Sequence, residues 1–291
     1  MDLLERAVKE RRPIHEVSLE HECSARGVSQ ADVRAEMLRR AGVMRGAAMK
    51  GISEAMKTRS GLVQGSAKKF FSATEGRPTL TGRIVGKAIA YSLAVAEVNA
   101  SMGVIVAAPT AGSCGILPGV MLALNEEVDG SKDKLVNGLL TASGVGMFIA
   151  ERATFAAAVA GCGAEIGASA SMASASIVEF CGGSADEALH AAAISLKSYL
   201  GLVCDPVAGL VEVPCIKRNA IGAANAFAAA DMALNGIESA IPFPQVVDAM
   251  YRIGRRLPPE LRETSKGGLA ATPAALRVRA LLSGGEEAVQ S

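Results

Sequence analysis

Residues 80–100 read L-T-G-R-I-V-G-K-A-I-A-Y-S-L-A-V-A-E-V-N-A. Ile84, Ala88, Tyr91, Leu93, Val95 and Val98 recur there at helical spacing, which predicts an α-helix with one face in a core. The same spacing returns in both directions. A Gly/Pro loop over Ala107–Gly115 leads into a short apolar helix ending at Leu124, and Asn125–Asp133 reads as a charged turn. Ser131 is placed to cap the next helix, with Leu135, Leu139, Met147 and Phe148 facing a core and Gly161 as its stop. A helix over 168–180 halts at Gly182-Gly183. Ser184 and Glu187 then form a capping-box pattern for a helix that ends at Gly201. An Ala-rich helix over 217–234 and two shorter ones, 245–256 and 273–282, complete the series.

No run of β-branched residues alternates cleanly over several strands. The fold class is therefore all-α: a single large helical domain with Gly/Pro-rich loops. Residues 1–60 read as short charged helices, a helical region packing on the core, and the polar stretch 61–78 reads as a loop. Residues 61–291 make up the main helical domain, and the last eight residues are expected to fray.

Composition narrows the function. Half of the 291 residues are hydrophobic but only 3 % are aromatic, with no Trp, so small side chains dominate. Lys and Arg total 30 against 29 acids, for a net charge of +1. That balance offers no electrostatic footprint for nucleic acid or an anionic membrane. Met1-Asp2-Leu3-Leu4-Glu5-Arg6 turns charged at once, unlike a signal peptide. The longest uncharged stretch, Val98–Asn125, is broken by Pro109, Pro118 and several glycines, so no membrane span is expected. The reading is a soluble, cytoplasmic protein whose six cysteines are reduced thiols or ligands.

Cys162 lies in G-C-G-A-E-I-G (161–167), and Cys204 and Cys215 bracket C-D-P-V-A-G-L-V-E-V-P-C (204–215). Thiolates on such turns can converge on a metal or an iron–sulfur cluster. Three ligands would leave one metal ion open to substrate, the mark of Lewis-acid chemistry. Spacing alone does not choose among Cys114, Cys162, Cys181, Cys204 and Cys215, since all adjoin Gly or Pro turns and no C-x-x-C pair exists. A free cysteine is also an ordinary small core residue, the reading given to Cys23.

Four segments carry a resemblance. A-A-P-T-A-G-S-C-G-I-L-P-G (107–119), G-C-G-A-E-I-G (161–167), C-D-P-V-A-G-L-V-E-V-P-C-I-K-R-N-A (204–220) and L-R-E-T-S-K-G-G-L-A (261–270) resemble the α chain of iron–sulfur-dependent L-serine dehydratase. The resemblance implies a [4Fe–4S] cluster held by Cys162, Cys204 and Cys215, with Cys114 and Cys181 outside the set. It implies β-elimination of water from L-serine, giving pyruvate and ammonia, a reaction of amino-acid degradation that feeds gluconeogenesis. Family members with one chain carry a further domain before the catalytic part. This sequence opens on the catalytic portion, so a separate β subunit and an oligomer are expected. It also ends without the C-terminal cysteine that caps the open iron in some members.

The loop A-P-T-A-G-S-C-G offers backbone N–H groups and the hydroxyls of Thr110 and Ser113 to an anion. From the residues alone an ordinary Gly/Pro turn is the better reading; with the resemblance, these and Gly112 are the expected contacts of the substrate carboxylate. Ser66, Lys68 and Lys69 are weaker candidates. His190, in an Ala-rich run, reads as packed, and no general base is assigned. Glu165 and Asp205 flank the cysteine motifs as either chemistry or loop-orienting acids. Lys197, Lys217 and Lys266 lack the glycine context of a pyridoxal-phosphate site. The rival readings are an L-cysteine eliminase releasing sulfide and a metal-cluster scaffold without catalysis.

Overall fold

In the structure, a computed structural model describing residues 2–283, thirteen α-helices follow one another. They are α1 (Leu3–Glu10), α2 (Ile14–Arg26), α3 (Gln30–Ser53), α4 (Ser66–Gly76), α5 (Gly82–Ala100), α6 (Ile116–Glu127) and α7 (Lys132–Arg152). There follow α8 (Ala157–Ala160), α9 (Ile166–Phe180), α10 (Ala185–Lys197), α11 (Cys215–Leu234), α12 (Phe243–Gly254) and α13 (Pro273–Leu282). Short 3₁₀ turns interrupt the connections at Cys162–Ala164, Val207–Gly209, Pro259–Leu261 and Gly268–Ala271. Among the described residues there is no strand, only two isolated bridges, Lys57 with Gln64 and Cys204 with Arg262. The all-α expectation holds. The fraying expected of the last eight residues falls outside the described residues.

α9 is the axis of the fold. Every residue in it except Glu179 is buried, and α6, α7, α10 and α11 pack around it. Its sequence, I-G-A-S-A-S-M-A-S-A-S-I-V-E-F, is small enough to let neighbours approach on all sides. The buried serines do not go unpaired. Ser171 donates to the Ala192 carbonyl at 2.9 Å, Ser176 to Gly138 at 2.8 Å and Ser169 to Ala108 at 2.7 Å. Each hydroxyl therefore ties α9 to a different neighbour at no desolvation penalty. α5 forms the second layer against α6, α11 and α3. α3 meets it where Gly51 faces Ala94: a Cβ on Gly51 would lie 2.6 Å from the Ala94 backbone.

Some caps are local and some are not. Glu187 N–H donates to the Ser184 hydroxyl at 3.2 Å, and Ser184 N–H returns the bond to Glu187 at 2.7 Å, the expected capping box. Ser131 caps α7 through Lys134 N–H. Replacing Ser184 by Ala should lower stability by about 1 kcal/mol; a shift in the denaturant midpoint at unchanged slope checks it. α2 has no side-chain cap of its own. Glu179 supplies one from α9, accepting from the N–H groups of Ile14 and His15, from His15 Nδ1 at 3.0 Å and from Thr141 at 2.5 Å.

The structure corrects several boundaries. Residues 66–76 of the expected loop form α4. Glu97 on α5, fully buried, accepts from Ser66 N–H at 2.7 Å and Ala67 N–H at 3.3 Å, so α4's start is fixed from outside its own sequence. The short charged helices of the first 60 residues include α3, 24 residues long. α7 stops at Arg152, and Gly161 instead ends α8. Among the described residues no helix is long and apolar enough to cross a membrane.

Candidate metal and substrate site

Three separate segments bring three cysteines together. Cys162 follows the break at Gly161, whose φ is +70° and whose missing Cβ would meet the Leu202 carbonyl at 2.5 Å. Only glycine fits both demands. Gly163 N–H then donates to that same carbonyl at 3.3 Å, which seats the Cys162 turn on the strand-like stretch leading to Cys204. Cys204 N–H donates to Leu261 at 2.9 Å, and its carbonyl accepts from Glu263 N–H at 2.8 Å. Cys215 is the first residue of α11. All three are buried.

Their thiols interact. Cys204 is hydrogen-bonded to Cys162, which together with burial and the neighbouring sulfurs pushes its thiol far up. Burial, then the Cys162 charge, pushes Cys215 up to about 12, with Arg218 opposing. The Glu165 carboxylate joins them: one ligand atom each from Cys162, Glu165 and Cys204 lies within 4.8 Å of the others. Cys215 stands outside that tighter group. Burial raises the Glu165 carboxyl, and a hydrogen bond from Thr110 opposes the rise. Buried together, these groups are stable as thiols, and as thiolates they need a cation to compensate their charge. Soft sulfur donors of this kind suit iron–sulfur or zinc binding.

The sequence around 261–268 clasps the Cys204–Cys215 loop. Asp205, buried, accepts from Arg218 Nη2 at 3.0 Å and from Leu269 N–H at 2.8 Å. Arg218 also donates to the Val203 carbonyl at 2.9 Å. Ser265 donates to Pro206 at 2.7 Å. Gly268 has φ of +58° and so little room that a Cβ would reach within 2.5 Å of Asp205 Oδ2. Asp205 thus orients the loop. On the other side Glu212, buried, accepts from the N–H and hydroxyl of Ser60.

The loop 107–115 is held against the thiols by residues from three helices. Ser169 on α9 donates to Ala108 at 2.7 Å and to Ser113 at 3.3 Å. Asn99 on α5 donates to Ala111 at 3.0 Å. Asn219 on α11 donates to the carbonyls of Gly112 at 2.8 Å and Cys215 at 2.9 Å, and accepts from Gly115 N–H at 2.9 Å. One buried amide therefore links the loop to the start of the Cys215 helix. Thr110 and Ser113 hydroxyls lie 3.1 Å apart, and Thr110 reaches Glu165. A Cβ on Gly112 would stand 3.0 Å from Glu165 Oε1, so the glycine leaves the room that the carboxylate takes up.

Residues 9–270 match the serine dehydratase alpha chain family. The chain belongs to that family. It is 43 % identical over 284 residues to the probable L-serine dehydratase alpha chain of Bacillus subtilis, covering 98 % of this chain and 94 % of that one. It is 42 % identical over 275 residues to the L-serine dehydratase alpha chain of Peptoniphilus asaccharolyticus, covering 94 % and 93 %. L-serine dehydratase 2 of Escherichia coli is 42 % identical over 182 residues, 62 % of this chain and 40 % of that longer one.

In this chain the remaining candidates lie elsewhere. Cys114 is buried in the loop itself, its thiol pushed up to about 12 by burial. Cys181 is exposed at the end of α9, and Cys23 packs partly against Leu19, Val33, Val136 and Leu140. Ser66 is the first residue of α4, with its N–H taken by Glu97. His190 accepts from Ser239 N–H at 3.1 Å and Lys197 donates to the Ser239 hydroxyl at 2.9 Å, so both hold the turn after α11. A surface cleft of about 730 Å³ between α1, α2 and α7, lined by residues such as Arg6, Glu20 and His21, includes Cys23 but none of Cys162, Glu165, Cys204, Cys215 or the loop 107–115. Sequence reasoning missed Asn99, Ser169 and Asn219. Only Asn219 left a trace, as a polar residue in an otherwise Ala-rich helix.

Proposed function

We propose that this chain dehydrates L-serine to pyruvate and ammonia. In this reading Cys162, Cys204 and Cys215 hold a [4Fe–4S] cluster, and Thr110, Gly112 and Ser113 bind the substrate carboxylate. The relatives named L-serine dehydratase support the reaction. Their alpha-chain names support assembly with a separate β subunit. The observation that carries the cofactor reading is the set of buried, interacting thiols against the loop 107–115.

When bound, the cluster supplies a Lewis-acidic iron that makes the substrate's β-hydroxyl a better leaving group. The chain's own residues position the rest. The loop's N–H groups and the hydroxyls of Thr110 and Ser113 are the kind of donors that a carboxylate requires. Asn219 and Ser169 keep that loop from relaxing. Loss of the Cα proton and of the β-hydroxyl, together one water, leaves an aminoacrylate, whose hydrolysis gives pyruvate and ammonia. Anaerobically reconstituted enzyme with its β subunit should form pyruvate from L-serine and little from L-cysteine; preferential sulfide release from L-cysteine would reassign the substrate.

The thiol chemistry sets a pH dependence. Cys215, raised to about 12, is a neutral thiol at pH 7, and Cys204 is more so. Metal must displace those protons, so apparent affinity should rise with pH below that value. Calorimetry of metal binding in buffers of different ionisation enthalpy should report proton release. Binding without proton release would remove the thiols from the ligand set.

A further inference from the structure

We propose that Glu165 binds the α-ammonium group of the substrate and so selects amino acids over other hydroxy acids. The inference rests on the L-serine reading above. Glu165 lies between two features. On one side its carboxylate is within 4.8 Å of the Cys162 and Cys204 thiols. On the other it occupies the space beside Gly112, where a Cβ would come within 3.0 Å of Oε1, and accepts from Thr110, in the loop assigned to the substrate carboxylate.

The substrate has the same order. In L-serine the ammonium and carboxylate share Cα, and the β-hydroxyl is one carbon further. With the carboxylate in the loop and the hydroxyl toward the thiols, the ammonium falls between them. Glu165 is the carboxylate that stands there. Among the described residues no Lys, Arg or His pairs with it: Lys217, two residues after Cys215, is exposed, and Arg218 is committed to Asp205 and Val203. An incoming ammonium supplies the missing partner. A charge-assisted hydrogen bond of this kind is worth enough to change affinity about tenfold or more.

L-alanine and propionate differ only by the ammonium group, and neither can lose water. Isothermal calorimetry on the anaerobically reconstituted holoenzyme should show L-alanine binding at least about tenfold tighter than propionate. Glu165→Gln should erase most of that preference by weakening L-alanine, while propionate binds equally or more tightly. Glu165→Asp, which keeps the charge, should restore part of it. Iron content should stay at the wild-type level in both variants. A preference for L-alanine unchanged in Glu165→Gln would overturn the proposal, as would loss of iron in that variant, which would make Glu165 a ligand. If wild-type holoenzyme binds neither compound and does not turn over L-serine, the functional reading itself fails, and this proposal with it.

Discussion

Cys204→Ser should leave a folded chain that no longer holds the cluster and no longer turns over L-serine. The thiol is buried between the Cys162 turn and the Leu261–Glu263 clasp, hydrogen-bonded to Cys162. A hydroxyl fits the space but is a poor ligand for iron. Loss of the Lewis acid removes several kcal/mol of transition-state stabilisation, so turnover should fall about a thousandfold or more. The visible absorption of the cluster should disappear in the same preparation. Cys181→Ser, at the exposed end of α9, should change neither. A Cys204→Ser enzyme with normal iron and turnover would remove Cys204 from the site. Lost iron in an enzyme whose wild type has no activity would favour a structural cluster.

Asn219→Leu is the second large effect, and it separates positioning from ligation. The Asn219 amide makes three hydrogen bonds that join Gly112, Gly115 and Cys215. It is 1 % exposed, so water cannot replace them. Leucine would leave the buried Gly115 N–H without a partner, at roughly 1–3 kcal/mol, and take the amide from the part-buried Gly112 carbonyl. Denaturant unfolding should therefore show a loss of several kcal/mol. L-serine turnover should fall at least about tenfold, because the substrate loop loses its tie to the Cys215 helix. Iron content should fall less than in Cys204→Ser, since every thiol remains. Asn219→Asp keeps the acceptor for Gly115 and should recover part of the stability. Stability within about 0.5 kcal/mol of wild type in Asn219→Leu, the range of an ordinary surface change, would contradict the clamp.

What the sequence revealed follows from where each signal resides. The helix over 80–100 and the Ser184–Glu187 capping box are set by residues three or four apart, and both appear as read. α4 was unreadable because its start is fixed by Gly65 at positive φ and by Glu97 from another helix. The cap of α2 is equally remote, since it comes from Glu179. The same distance governs the site. Cys162, Cys204 and Cys215 each lie beside turns, but so do Cys114 and Cys181, and spacing does not rank them. Only the resemblance singled out three. The residues that hold the loop 107–115, Asn99, Ser169 and Asn219, act across 12, 56 to 61 and up to 107 positions. Asp205 looked from sequence like either chemistry or scaffolding; its bonds to Arg218 and Leu269 make it scaffolding.

The cluster is the claim on which the rest stands. The most direct test is to reconstitute the chain anaerobically with iron and sulfide in the presence of its β subunit, remove unbound metal, and quantify both elements per chain. About four iron and four sulfide per chain, lost in Cys204→Ser, is the expected result. A single zinc or iron without sulfide, or no bound metal at all, would contradict the account.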